Sequence, residues 1–310
     1  MALRRARFGE DDPKNIFDVL EMIGASLPDP PLRRLDWRQW LRARSLLFSI
    51  APDPQAFLYA LRGGAHAFLS WGAPRPCGTW RYRVKAWRLG VIARRATLVF
   101  VNDRVTERQM RVVYGVNALR VPYLVDTDYF RPPASPRDNF WLVPGDNDRD
   151  EALVCALARA GHRMVRVSLD PAVANYHQAH REPLVDVRVR VPYRELRDLY
   201  QRASAVLLPL TSFNHPAGQT AILEALACDA PVVMSRGRTS TILGAAPGVV
   251  VCSERDVGSW QRAVDLAITR ASAVGSQRAE WMKEHAPANV AATMLAEIRA
   301  RWAGSGAASR

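Results

Sequence analysis

The stretch HPAGQTAILEALACDAPVV, residues 215–233, gathers residues whose types and spacing could do chemistry. Gly218, Gln219 and Thr220 stand at the mouth of a run with helical periodicity, and Glu224 follows one turn later. A glycine there lets the backbone come close to a ligand. The free amides of residues 218–220, at the positive end of a helix, suit an anion. Thr220 and Glu224 share one helix face, while Ile222, Leu223 and Leu226 form another that should pack on a sheet. A carboxylate one turn inside can accept hydrogen bonds from a pair of sugar hydroxyls. Phosphate at the mouth with a diol beside it describes a nucleotide. The plainer alternative is that Gln219 and Thr220 cap a helix and Glu224 is solvated.

The elements around this stretch alternate. In the first half, strands are expected at 45–50 (SLLFSI), 65–70 (AHAFLS), 97–102 (TLVFVN) and 118–123 (ALRVPY). A helix is expected from Pro54, with Asp53 as its N-cap. A proline-rich stretch at 130–139, FRPPASPRDN, reads as a linker. The second half repeats the pattern, with strands at 140–144, 163–168, 185–189, 205–209, 231–235 and 248–251. A helix capped by Ser253 should carry Trp260, Ala263, Leu266 and Ala267 at helical spacing, and ANVAATMLAEIRARW should form a last helix. Short β-rich runs separated by helices imply parallel sheets with right-handed crossovers. The fold class expected is α/β, with two facing Rossmann-like doubly wound domains and a C-terminal helix crossing back. The expected divisions are 1–135, an acceptor-side domain; 136–286, a donor domain; and 287–310, the crossing helix and a frayed tail.

Composition narrows the function. With 310 residues, 48% of them hydrophobic, the chain is long enough for two globular domains. No run approaches the ~18–20 apolar residues of a membrane span. No secretory signal is visible at the start. Cys77, Cys155, Cys228 and Cys252 form no CxxC pair or zinc spacing and read as buried thiols of a reducing cytoplasm. The net charge of +13 is uneven: residues 1–135 hold 22 Lys and Arg against 12 Asp and Glu, and the rest hold 21 against 18. Such a field suits an anionic partner, but no nucleic-acid-binding module is recognisable, so no nucleic acid is expected. TWRYRVKAWRLGVIARR, residues 79–95, puts Trp80, Val84, Trp87 and Val91 on one helix face with cations around it. It reads either as a helix lying on an anionic membrane or as a crossover helix packed on a sheet with a solvated basic rim. The expected location is cytoplasmic, and the first reading adds peripheral attachment to the inner face of the membrane.

The run VPYRELRDLYQRASAVLLPLTSFNHPAGQTAILEALACDAPVV, 191–233, resembles the donor-binding half of the GT-B glycosyltransferases, the large retaining family called family 4. Helix, strand ending in Pro, ligand loop, Glu-Ala and Pro-Val-Val follow in that family's order. ATLVFVNDRVTERQMRVVYGVNALRVPYLVDTDYFRP, 96–132, is similar to the family's last strand and helix before the second domain. The resemblance covers about residues 96–302. It implies transfer of a sugar from a nucleotide-diphosphate sugar, the co-substrate, to an acceptor, with retention. No separate cofactor and no metal are implied, although Asp126–Asp128 and Asp146–Asp148 have an Asp-x-Asp spacing. It implies that Glu224 holds the ribose, that Gly145, Arg149, Gly218, Gln219 and Thr220 meet the diphosphate, and that Asn214 and His215 adjoin the donor sugar. Trp71 and Gly72 would lie on the acceptor side, and His66 is read as structural. No protein nucleophile is evident. Pro216 stands where the family's other Glu belongs, and Asp146 where Arg is frequent. These positions keep a second reading open, a non-catalytic homologue that binds sugar nucleotide or serves as a partner subunit. A third is a sugar-nucleotide 2-epimerase.

Overall fold

The computed structural model describes residues 12–27, 47–50, 54–63, 66–70, 79–211 and 217–304. In chain order the elements are α1 (Ile16–Ala25), β1 (Leu47–Ile50), α2 (Pro54–Arg62), β2 (His66–Ser70), α3 (Trp80–Arg95), β3 (Leu98–Val101), α4 (Arg104–Tyr114) and β4 (Leu119–Arg120). Then come β5 (Asp138–Pro144), α5 (Glu151–Arg159), β6 (Met164–Ser168), α6 (Pro171–Ala179), β7 (Val185–Val189), α7 (Tyr193–Arg202) and β8 (Ala203–Leu208). The last are α8 (Gln219–Ala227), β9 (Val232–Ser235), α9 (Arg238–Leu243), β10 (Val249–Cys252), α10 (Val257–Ala271), α11 (Gly275–Lys283) and α12 (Pro287–Gly304).

Two compact units result. One holds Leu124–Pro287 with the described residues up to Asn15, and the other holds the described residues of Ile16–Tyr123 with the chain from Ala288. The helix α12 thus returns to the unit that contains the first strands, burying Val290, Met294 and Ile298 there. Arg299 donates to the Ser26 carbonyl at 2.8 Å.

In the first unit the parallel strands lie in chain order, β1-β2-β3-β4. Crossovers of one hand then place α2, α3 and α4 on the same face of the sheet. They pack side by side, with Phe57 5.2 Å from Trp87 between ring centres and the Tyr114 ring against Gly90. Apolar strand residues such as Phe68, Val99 and Val101 form the core with Leu89 and Ile92. His66 is wholly buried, 2.6 Å from Ser49 Oγ, and burial lowers its pKa to about 4, consistent with a structural role. The strand expected over 118–123 keeps only two residues, although the Val121 amide still bonds the Val101 carbonyl. Pro122 has no N–H to continue the ladder.

The second unit carries six parallel strands in the order β10-β9-β8-β5-β6-β7. Trp141, Val143, Leu207, Val233 and Trp260 fill its core. The proline-rich stretch is tied down: Phe130 is buried, and Arg137 donates to the carbonyls of Tyr200, Gln201, Ala203 and Cys228. The N-cap of α10 is Asp256, whose side chain accepts from the Ser259 amide, and not Ser253. The reason is that β10 runs to Cys252, and the Glu254 carbonyl is held by the Trp260 indole at 3.0 Å, so the helix starts after that turn. On α10 Trp260, Ala263 and Ala267 are buried, while Leu266 is exposed. Cys155, Cys228 and Cys252 are free and buried; Cys77 lies outside the described residues.

Candidate functional site

The strand order of the second unit reverses direction between β5 and β8. Open parallel sheets bind ligands beyond the carboxyl ends of the strands at such a point. Both loops singled out in the sequence start there, after Pro144 and after Leu208. Backbone bonds join them: the Asp150 amide donates to Pro209 O at 2.7 Å, the Thr211 amide to Asp148 O at 2.8 Å, and Arg149 bridges Leu210.

The join places the Arg149 guanidinium inside the second unit, where it is buried. Nε and Nη2 donate to the Pro144 carbonyl at 2.8 and 2.5 Å, and Nη1 to the Asn147 carbonyl at 2.7 Å. A guanidinium has five N–H groups. One on each terminal nitrogen is therefore unspent among the described residues, and no described carboxylate lies within ion-pair distance. Burial, with the nearby Arg166 charge acting in the same sense, lowers its pKa to about 10, so the cation persists at neutral pH. Glu151 and Asp146 offset this only from beyond ion-pair distance, so the buried cation keeps part of its desolvation cost. An anion placed here removes that cost.

Two glycines make room for it. Gly145 has φ +85°, and a Cβ there would sit 2.9 Å from Arg149 Nη2. Gly218 has φ +82°; a Cβ would meet Leu208 Cδ2 at 2.5 Å and the two terminal nitrogens of Arg149 at 3.4 and 3.7 Å. The unspent N–H groups of Arg149 thus lie next to Gly218, the N-cap of α8, where no described side chain caps the helix. Amides at an uncapped N-terminus and a cation on the same spot make an anion site. Thr239 sets the start of this helix: its Oγ1 accepts from the Ala217 amide at 3.0 Å and donates to the Ala217 carbonyl at 2.7 Å. Gln219 is half-buried and Thr220 exposed at the first turn.

On α8 every residue from Ala221 to Ala227 is buried, Glu224 included. The sheet-packing face read in the sequence, Ile222, Leu223 and Leu226, is there, but Glu224 is not solvated. Its Oε2 accepts from the Tyr200 hydroxyl at 2.8 Å, and its Oε1 is engaged by no described residue. Burial raises the Glu224 carboxyl to about 7, against the Tyr200 hydrogen bond, which lowers it. Burial and the neighbouring Glu224 push the Tyr200 hydroxyl well above its usual range, so it stays a donor.

Asp146 does not face this spot as a free group: it accepts from Ser168 Oγ and from the Leu169 amide at 3.0 Å, tying the loop after β5 to the loop after β6. Asp126 likewise accepts from the Lys14, Asp128 and Tyr129 amides. Neither Asp-x-Asp spacing gathers ligands, and no described His, Cys, Asp and Glu residues cluster in threes. Trp71, Gly72, Asn214, His215 and Pro216 lie outside the described residues.

Three parts of the site were not read from the sequence. Tyr200 is one. Thr239 is another. The third is the ion pair of Arg166 with Glu151, 2.7 Å apart, which His177 joins at 2.9 Å. Arg166, wholly buried in β6, donates from Nη1 to the Gly145 carbonyl at 2.7 Å and so fixes the turn beneath Arg149. Burial opposes the charge on Glu151, but the hydrogen bonds of His177 and Arg166 bring it down to about 2. A charged residue in the middle of the buried strand RMVRVS was the available signal for this pair.

No family model matches the sequence, and no curated protein matches it. Solved structures do. Sucrose-phosphate synthase from Thermosynechococcus elongatus superposes with a TM-score of 0.64 at 15% identity, over 84% of this chain and 74% of that one. Anabaena HepE, in complex with UDP-glucose, gives 0.62 at 15%, over 85% and 81%. Trehalose 6-phosphate synthase from Burkholderia multivorans gives 0.61 at 11%, over 96% and 81%. Two parallel-stranded α/β units, a switch point between β5 and β8 in the second and a last helix returning to the first go with these likenesses: the chain adopts the GT-B fold.

Proposed function

We propose that this chain is a nucleotide-sugar-dependent glycosyltransferase of the family 4 type, acting without a metal and with retention. The observation that carries the reading is the buried, carboxylate-free guanidinium of Arg149 set against the uncapped N-terminus of α8. The fold supports it, as do the ligands named for structural neighbours, UDP-glucose in one and ADP in another. In this reading the donor diphosphate lies between Gly145 and Gly218, on Arg149 and the amides of Gln219 and Thr220. Glu224 accepts from the ribose hydroxyls while Tyr200 holds its other oxygen. When the bond between the sugar carbon and the diphosphate oxygen breaks, its electron pair stays with the diphosphate. Preorganised N–H groups stabilise that developing charge. Asn214 and His215 adjoin the donor sugar, and Trp71 and Gly72 the acceptor.

A second reading is a binding homologue without transfer. Pro216, in place of a carboxylate, favours it. Incubation with a panel of UDP-, ADP- and GDP-sugars, following release of nucleoside diphosphate, separates the two. Slow donor hydrolysis that Arg149→Ala abolishes is the expected result. Tight binding with no release from any donor would leave only the binding homologue.

A further inference from the structure

The outward face of α3 takes no part in the donor chemistry. The residues that α3 buries are Ala86, Leu89, Gly90, Ile92 and Ala93. Trp80, Val84 and Trp87 fall on the opposite side, at 69, 42 and 58% exposure. The helix therefore carries two apolar faces, and the one with the larger side chains is turned to solvent. Arg83 and Arg94 flank that stripe on one side, Arg81, Arg88 and Arg95 on the other. No Asp or Glu occurs anywhere in α3.

The neighbours extend the same surface. Leu61 of α2, one turn beyond the Phe57 that touches Trp87, is exposed, as is Val112 of α4. Together α2, α3 and α4 carry ten Lys and Arg against one acid, Glu107, which pairs with Arg120. Nine of the ten cations are exposed.

We propose that this three-helix face docks on an anionic lipid bilayer, with Trp80, Val84 and Trp87 seated at the acyl boundary and the arginines among the headgroups. Charge complementarity argues for the partner: the face is almost wholly cationic. The apolar stripe argues for a bilayer. Tryptophans beside aliphatic side chains, ringed by long cationic ones, match the interface between headgroup and chain. Valine and leucine on a phosphate-binding groove would have nothing to contact. The proposal does not depend on the donor site, which lies in the other unit.

Flotation of the whole chain with vesicles of phosphatidylcholine and phosphatidylglycerol in about equal parts is the test. Wild type should float with these vesicles and not with pure phosphatidylcholine, less so as salt rises, with a blue shift of tryptophan fluorescence. Trp80→Ser with Val84→Ser changes only exposed positions and leaves Trp87 on Phe57. It should lower the bound fraction roughly tenfold, as should Arg81→Glu with Lys85→Glu. Unchanged melting temperatures show that both variants fold. Absence of flotation at low salt, or flotation unaffected by the Trp80 and Val84 changes, overturns the proposal. So does binding of duplex RNA that vesicles cannot displace, or a self-associated species that the Trp80 and Val84 changes dissolve.

Discussion

Glu224 shows how burial turns an ordinary carboxyl into a titrating one. Its pKa of about 7 lies above the ordinary 4.5, because ionising it inside the unit forgoes solvation. The sign follows. Glu224 favours the folded state fully below about pH 4.5, and that contribution is lost as the pH rises through about 7. A nucleotide needs the opposite form, since the ionised carboxylate is the stronger acceptor for a diol. Affinity for UDP should therefore increase as pH rises through this range. Glu224→Gln should flatten the pH dependence and weaken binding by about 1–2 kcal/mol. Calorimetric titration at several pH values checks both; an unaltered slope in the variant contradicts the assignment.

At the scale of elements, the loop after β5 is held by a strand two elements further along the chain. Arg166 of β6 is pinned by Glu151 at the start of α5, and in turn holds the Gly145 carbonyl. Glu151→Gln leaves that guanidinium buried with reduced compensation and should cost about 3–5 kcal/mol of stability. The Glu151 contribution is present above its ordinary pKa of 4.5 and is lost as the pH falls through about 2. Urea unfolding at neutral pH measures the loss, and a change below 1 kcal/mol, roughly that of a surface pair, refutes the role. The strands were legible because β-branched runs between turn residues announce themselves: β7 lies at 185–189 as read. The loops after β5 and β8 were legible through Gly145, Arg149 and Gly218. Tyr200 was not, because its hydroxyl meets Glu224 only when two helices 24 residues apart pack together. In α3 the periodicity pointed to one apolar face, Trp80, Val84, Trp87 and Val91, and missed that the smaller residues Ala86, Leu89, Ile92 and Ala93 would be the inner one.

The whole molecule separates its charges by unit. The three-helix face of the first unit is a broad cationic surface, whereas the second buries the Arg149 guanidinium at its switch point with no described carboxylate within ion-pair distance. No helix among the described residues is long and apolar enough to cross a membrane. A ligand that binds only the folded chain raises its melting temperature by an amount set by concentration and affinity. In the proposed reading nucleoside diphosphate is such a ligand, because it relieves the desolvation cost of Arg149. The most direct measurement is therefore calorimetric titration of UDP and ADP into wild type and Arg149→Ala, with melting temperatures taken for both. The account predicts saturable binding of at least one diphosphate to wild type, weakened about 30-fold or more in the variant by loss of a charge-assisted contact. Equal binding to both proteins, or binding to neither, would contradict it.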